Sequence, residues 1–514
     1  MEKHHGIRTR GLSLGFAAVP QGPLFEGRFG RMFRGLPVFE VEKDDLRDLA
    51  DSMTQTGFVD NPKIPSGFTY LGQFVDHDIT FDATSSLQRM NDPEALVNFR
   101  TPRFDLDSLY GRGPVETPFL YDQADPDGVK LLIGKVINDE GGREEHQHDL
   151  PRNDPDPAQQ RALIGDHRND ENTFVSQLHL LFIKFHNRVV DMVRADRPRL
   201  KGDNLFKEVQ RIVRWHYQWV VVFDFVDRTV PEDMLLGDLL VEEDGLRKVK
   251  LKFYDWKKHP FMPVEFSGAA YRFGHSQVRG RYSINSTVQG LPTFLPADEL
   301  AQQPNPRIAD FRGFRGLPSF WTVSWPFFFE LAGSQDVLQP SLTIDTKISG
   351  PLTNALPGAD HTKADERSLP RRNLLRGRAL KLPSGQRVAG RMGIPRRSRL
   401  TTGDDLGLEG ELLEKFGGDE TPLWYYVLRE AEVQQNGERL GQVGGRIVAE
   451  VLLGLLDGDP LSFLSVEPNW TPELEGAEDG RFTMADLIRF ADPDAAQVHA
   501  GRPHLPQGEE GGQG

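Results

Sequence analysis

The chain has 514 residues, 38% of them hydrophobic, so it can bury a large core, and on the usual length prior it would hold about three domains. Its net charge of -15 argues against general binding to nucleic acid or anionic membranes. It contains no cysteine, which excludes disulfides, thiolate metal sites, iron–sulfur clusters and cysteine nucleophiles, so any metal must rest on His, Asp, Glu, hydroxyl or backbone oxygen.

No stretch approaches the roughly 20 apolar residues of a membrane span. Residues 1–8 lack the apolar core of a secretory signal, so the expected location is cytoplasmic, or exported without a recognisable signal peptide. Residues 1–60, rich in Gly, Phe and Pro, read as an irregular N-terminal arm over a body spanning 61–495. The acidic, Pro-broken stretch 139–156 reads as a solvated loop, in which the spacing of His146 and His148 is not taken as a metal site. A strong helix follows: Phe174, Leu178, Leu181, Phe182, Phe185, Val189 and Met192 recur at three- and four-residue steps, with 166–172 at or just before its start. His179 and His186, seven apart on it, are expected to be structural. A second helix is expected to begin with Asp203 or Asn204 as cap and to run into the apolar stretch 219–226. A third is marked by Val443, Ile447, Val448, Val451, Leu452, Leu455 and Leu456, and is closed by Gly458 and Pro460. The tail, 496–514, reads as disordered. Long helices with few short strands make this a mainly α protein.

Four clusters carry chemistry. In Leu71-Gly72-Gln73-Phe74-Val75-Asp76-His77-Asp78, helical spacing puts Gln73 and His77 on one face, while Asp76 and Asp78 point elsewhere. Such a helix offers an imidazole and an amide to a reaction site and a carboxylate to a cation behind it. The second cluster is Gly165-Asp166-His167-Arg168-Asn169-Asp170-Glu171-Asn172, where Asp170 and Glu171 suit the positive end of a helix macrodipole, whereas Arg168 opposes it unless an anion draws it inward. In Tyr271-Arg272-Phe273-Gly274-His275 a histidine follows an aromatic–glycine pair; glycine admits a flat ligand, and a neutral imidazole is the usual protein ligand of a peroxidase haem iron. In Arg371-Arg372-Asn373-Leu374-Leu375-Arg376, the first two arginines read as a solvated face, and Asn373 and Arg376, three apart, could meet one ligand.

In this order and spacing the clusters resemble the animal-type haem peroxidases of the peroxidase–cyclooxygenase superfamily, in particular its bacterial members, over residues 67–470. The resemblance implies a helical fold with haem b between central helices. It assigns Gln73 and His77 to the distal pocket, Arg168 as distal arginine, His275 as the iron ligand, Asn373 as its hydrogen-bond partner, and Arg376 to a haem propionate. Asp76 and Glu171 match the carboxylates that form ester bonds to haem in mammalian members. A calcium site is also implied, joining Asp78 to Thr101, the Arg103 carbonyl, Asp105 and Asp107, hard oxygen donors of the kind calcium takes. Asn172 stands where one mammalian member has a vinyl-bonded methionine, so no sulfonium link is expected, and the usual Arg-Asp-His-Gly run is replaced by Arg378-Ala379-Leu380-Lys381. The implied activity is reduction of hydrogen peroxide with oxidation of organic donors, halides or pseudohalides through a ferryl state, as in a response to oxidative stress. A fatty-acid dioxygenase of the same superfamily would need a tyrosine three residues before His275; that place is Arg272, with Tyr271 one residue earlier. A non-catalytic adhesion or matrix protein of this fold would be expected to lose His77 or Arg168.

Overall fold

The computed structural model describes residues 29–54, 57–80, 101–134, 149–153, 160–256, 260–357, 363–477 and 480–498. The arm before Phe29, His146, His148 and most of the loop around them, and the tail from residue 499 lie outside the described residues.

The architecture is helical. Helix α1 spans Lys43–Ser52, α2 Gly67–Ile79, α3 Thr173–Asp196, α4 Gly202–Val220, α5 Leu369–Ala379, α6 Leu423–Gln435 and α7 Gln442–Gly458. The strands are short and scattered. Asp60–Pro65 pairs antiparallel with Pro340–Leu342, and the hairpin Leu240–Glu243 with Leu246–Val249 is the longest regular ladder among the described residues.

Helix α2 is the centre of the fold. Its apolar side packs on α3 and α4 through Phe74, stacked on Phe182 at 4.7 Å and edge-on to Tyr217 at 6.2 Å, and through Tyr70, stacked on Phe174 at 4.3 Å. Asn172 caps α3, its side chain accepting from the Val175 N–H at 2.9 Å. The expected cap of α4 is corrected: Lys201 precedes the first turn, Gly202 at φ +50° brings the chain in, and Asp203 instead pairs with Lys207 one turn on. Beyond Val220 the helix widens into a π-helical stretch, Val221–Val226. This bulge brings Phe225 against Gly72, where an added Cβ would lie 3.1 Å from the ring.

Helix α7 is buried along most of its length, and its N-terminus is capped by the buried Glu430, which accepts from the Val443 and Gly444 N–H groups at 2.8 and 3.2 Å. The arm needs a correction as well, because its described part is not irregular throughout. Leu46, Leu49, Ala50 and Met53 form the buried stripe of α1 and its end, and Asp51 accepts from the Arg371 guanidinium of α5 at 2.6 and 2.9 Å. Closer to the chain start, Phe29–Gly30 pairs in parallel with Met262–Pro263, and the buried Glu265 carboxylate accepts from Met32 and Phe33 N–H. These contacts pin the arm to the body. No helix among the described residues is long and apolar enough to cross a membrane.

Candidate functional site

A cavity of about 450 Å³ lies where α2, the 3₁₀ turn His167–Asp170, the turn Ala270–His275 and α5 meet. Gln73, Asp76, His77, Arg168 and Glu171 line it. So do Tyr271, Arg272, His275 and Arg372. Four sequence clusters spread over some 300 residues are thus brought to one space. Its size is that of a small-molecule or cofactor site. Phe225, Phe273 and Leu352 supply apolar wall, and a Cβ added to Gly274 would meet no atom within 4 Å, as a flat ligand against that glycine requires.

Around His77 the polar groups are closely tied. Its Nδ1–H donates to Asn169 Oδ1 at 2.7 Å, which leaves the lone pair on Nε2, 3.6 Å from Glu171 Oε1. Gln73, one turn earlier on α2, donates its amide to the same Glu171 oxygen and accepts from Asn172 Nδ2 at 3.1 Å. Burial, helped by the positive charge of Arg168, pushes His77 down to about 4, so the imidazole is neutral at physiological pH. Burial pushes Glu171 up to about 7 against the opposing pull of Arg168.

Arg168 has the anion that its place in the sequence demands. Asp166, 2% exposed, caps the turn and receives Arg168 Nε and Nη2, the latter at 2.7 Å. Nη2 also donates to the carbonyls of His77 at 2.9 Å and Thr80 at 2.6 Å, fastening the C-terminal end of α2 to the turn. Asp76 lines the cavity and accepts from Thr80 Oγ1 at 2.8 Å. Asp170 and Glu171 are not merely dipole partners. Asp170 forms a buried bidentate pair with Arg152 at 2.8 and 3.0 Å, and Glu171 faces the cavity.

His275 ends its turn with Nδ1 2.8 Å from the side-chain amide of Asn373 on α5. With the amide nitrogen towards the ring, the buried Asn373 Oδ1 has no hydrogen-bond partner. Turned the other way, that oxygen accepts from Nδ1–H, and the His275 Nε2 lone pair is left for a cation. Burial, reinforced by the charges of Arg272, Arg376 and Arg372, holds His275 well below the usual histidine range and keeps it neutral. Arg376 lies on α5 one turn past Asn373 but does not line the cavity, whereas Arg272 and Arg372 do. The expectation for the Arg371–Arg372 pair therefore splits: Arg371 is the outward residue, bound to Asp51, and Arg372 faces inward because successive residues of a helix point about 100° apart.

A second polar cluster lies behind α2. Oxygens of Asp78, Asp105 and Asp107 all fall within 4.8 Å of one another, and Asp78 is fully buried. Thr101 Oγ1 donates to Asp105 Oδ2 at 2.8 Å, and the Arg103 N–H donates to the Thr101 carbonyl at 2.8 Å, so the expected segment wraps this point. Leu106, at φ +56°, turns the chain so that Asp107 follows Asp105 inward. Burial pushes Asp105 up, against the opposing pull of the Thr101 hydroxyl, Arg214 and Arg103. An oxygen-only set of three carboxylates suits a hard divalent cation.

Asn169 was not evident from sequence as a functional residue. It lies inside the second cluster, but its partner on α2 is 92 residues away. The structural expectation for His186 agrees with its bonds to Tyr110 Oη at 3.2 Å and the Val129 carbonyl at 2.9 Å. His179 is buried as well, with its Nδ1 2.9 Å from Asn169 Nδ2, one step from His77.

The family profile described as animal haem peroxidase matches residues 85–406. Heme peroxidase 2 of Caenorhabditis elegans is 33% identical over 115 residues, 22% of this chain and 16% of the relative. Thyroid peroxidase of Sus scrofa is 25% identical over 422 residues, 77% of this chain and 41% of the relative, so the chain matches less than half of either protein. Peroxidase A from Dictyostelium discoideum has a similar solved structure, with a TM-score of 0.62 at 16% identity, covering 93% of this chain and 95% of that one. A fatty acid alpha-dioxygenase from Arabidopsis thaliana gives 0.58 at 16% identity, covering 92% and 78%. At these identities the two structures speak for the fold.

Proposed function

Because the chain belongs to the animal haem peroxidase family, a family of haem-dependent oxidoreductases, we propose that it reduces hydrogen peroxide to water while oxidising organic donors, halides or pseudohalides. The observation that carries this reading is the His77 imidazole, neutral and with its Nε2 lone pair available beside the fixed charge of Arg168. Haem b would be held by His275 Nε2, with Asn373 orienting that ring, Arg272 and Arg372 balancing the propionates from the cavity wall, and Arg376 adding its positive charge from behind that wall. Bound there, haem supplies the redox-active iron at which peroxide is split. His77 Nε2 takes the proton of the incoming peroxide and returns it to the departing oxygen, the work of a general acid–base. The Arg168 guanidinium stabilises the negative charge that develops as the oxygen–oxygen bond stretches; its ties to Asp166 and to the α2 carbonyls mean it need not reorganise. Asp76 and Glu171 line the cavity and would be the carboxylates available for ester bonds to the haem, a two-electron oxidation of the haem carbon for which hydrogen peroxide would be the oxidant.

Haem-loaded protein given peroxide with iodide, bromide, thiocyanate or phenols tests the reading. Peroxide-dependent turnover of at least one donor is expected, and none with any of them would refute it. A dioxygenase reading has the fold of the plant enzyme in its favour, and Tyr271 does line the cavity. Against it, Tyr271 Oη donates to the Gly72 carbonyl at 3.1 Å, and Arg272 stands in the radical position.

Calcium is proposed at Asp78, Thr101, the Arg103 carbonyl, Asp105 and Asp107, where it would neutralise the crowded carboxylates and fix the helix that carries His77. Elemental analysis should find stoichiometric calcium in active protein. Its removal by chelation should lower the melting temperature and slow the peroxide reaction together, because Asp78 adjoins His77. Active protein without calcium would exclude the site.

A further inference from the structure

We propose that Asn169 and His179 set the tautomer of His77, the side-chain amide of Asn169 linking the two imidazoles so that they take opposite tautomers. The inference deepens the reading of His77 as a base, and rests on it.

All three side chains are buried. Asn169 Oδ1 lies 2.7 Å from His77 Nδ1, and Asn169 Nδ2 lies 2.9 Å from His179 Nδ1. A primary amide has one accepting and one donating end, and a neutral imidazole has one donating and one accepting nitrogen. Two arrangements therefore satisfy both contacts. In the one adopted, His77 Nδ1–H donates to Oδ1 and Nδ2 donates to the bare Nδ1 of His179. With the amide reversed, His179 Nδ1–H would donate, His77 Nδ1 would accept, and the His77 proton would move to Nε2. Only the first leaves His77 Nε2 able to take a proton from a molecule in the cavity. A change of tautomer at His179 must turn the amide, and so must change His77.

The surroundings hold these three side chains in place. Asn169 sits in the 3₁₀ turn whose backbone is fixed by its N–H donating to the Asp166 carbonyl at 3.1 Å, and by the Asp170–Arg152 pair beside it. His179 is held in α3 with its ring edge-on to Phe74 of α2 at 6.1 Å. Glu171 Oε1, at 3.6 Å from His77 Nε2 and already accepting from Gln73, lies beyond hydrogen-bond reach and does not draw a proton onto Nε2. Asn169 and His179 are thus positioning residues, acting on the reaction through His77.

The test uses histidine ring nitrogen shifts in ¹⁵N-labelled, haem-loaded protein kept diamagnetic by reduction under carbon monoxide, with His77 assigned by its absence from His77→Gln. The wild type should show the Nδ1–H tautomer at His77. Asn169→Leu removes both ends of the link at similar volume; it should shift His77 towards Nε2–H and slow the peroxide reaction about 10- to 100-fold, short of full loss of the base. Asn169→Asp keeps an acceptor facing His77 and should restore the Nδ1–H tautomer and most of the rate. An unchanged His77 tautomer in Asn169→Leu would overturn the inference. Should that variant fail to fold, His179→Phe carries the same test, since an amide released on that side should give a mixed tautomer at His77, and an unmixed one would be equally fatal. Wild type with Nδ1–H at His77 but no peroxide reaction would support the link and reject the peroxidase reading. Fast peroxide reaction with Nε2–H at His77 would do the reverse.

Discussion

Replacing His275 with alanine is expected to release haem from the protein or to shift its Soret band strongly, with no comparable effect from His186→Ala. His275 lines the cavity with its Nδ1 against Asn373; among the described histidines His77 also lines it, from α2. Two buried histidines elsewhere are tied to the fold and do not line the cavity: His186 lies between Tyr110 and the Val129 carbonyl, and His216 Nδ1 donates to the Ile212 carbonyl at 2.7 Å. A neutral imidazole is needed for ligation, and the charges of Arg272, Arg376 and Arg372 add to burial in keeping His275 unprotonated. The check is an absorption spectrum of each variant after haem loading and desalting. An unaltered Soret band in His275→Ala would remove the residue from the iron-binding role.

His77→Ala is expected to keep its haem and lose about 10²- to 10⁴-fold in the rate of reaction with peroxide, the usual worth of a positioned general acid–base. The pH dependence follows from the same group. Burial and Arg168 lower its affinity for a proton, so His77 remains a free base well below the ordinary imidazole value of about 6.5. The wild-type rate should hold steady as pH falls from neutrality and decline only near about 4, where Nε2 becomes protonated. The variant should lack that decline. Stopped-flow absorbance across pH 3.5 to 8, an order-of-magnitude bracket around about 4 and 6.5, checks both points, and equal rates in variant and wild type would remove His77 from the chemistry.

The helices that build the site were largely legible in the sequence. Gln73 and His77 share a face because α2 is helical, and the apolar rhythms of α3 and α7 predicted their positions. The helix α1 carries the same signal in Leu46, Leu49, Ala50 and Met53, but it is short and lies within a Gly- and Pro-rich arm whose composition outweighed it. The π-helical stretch could not be read, since Val221–Val226 is apolar at most positions and hydrophobicity alone does not separate α from π spacing. What sequence reading missed at the site depends on tertiary placement. Arg372 faces the cavity and Arg371 the arm only because α5 lies between them, and Asn169 meets His77 and His179 only when the turn His167–Asp170 docks on α2 and α3.

The central claim is that the cavity reacts with peroxide through His77 and not with a fatty acid through Tyr271. Haem-loaded wild type mixed rapidly with hydrogen peroxide, and in parallel held with linoleate at an oxygen electrode, tests it most directly. The account predicts a fast peroxide-dependent change in the Soret region and no fatty-acid-dependent oxygen uptake. Oxygen uptake with linoleate that Tyr271→Phe abolishes, without a rapid reaction with peroxide, would contradict it.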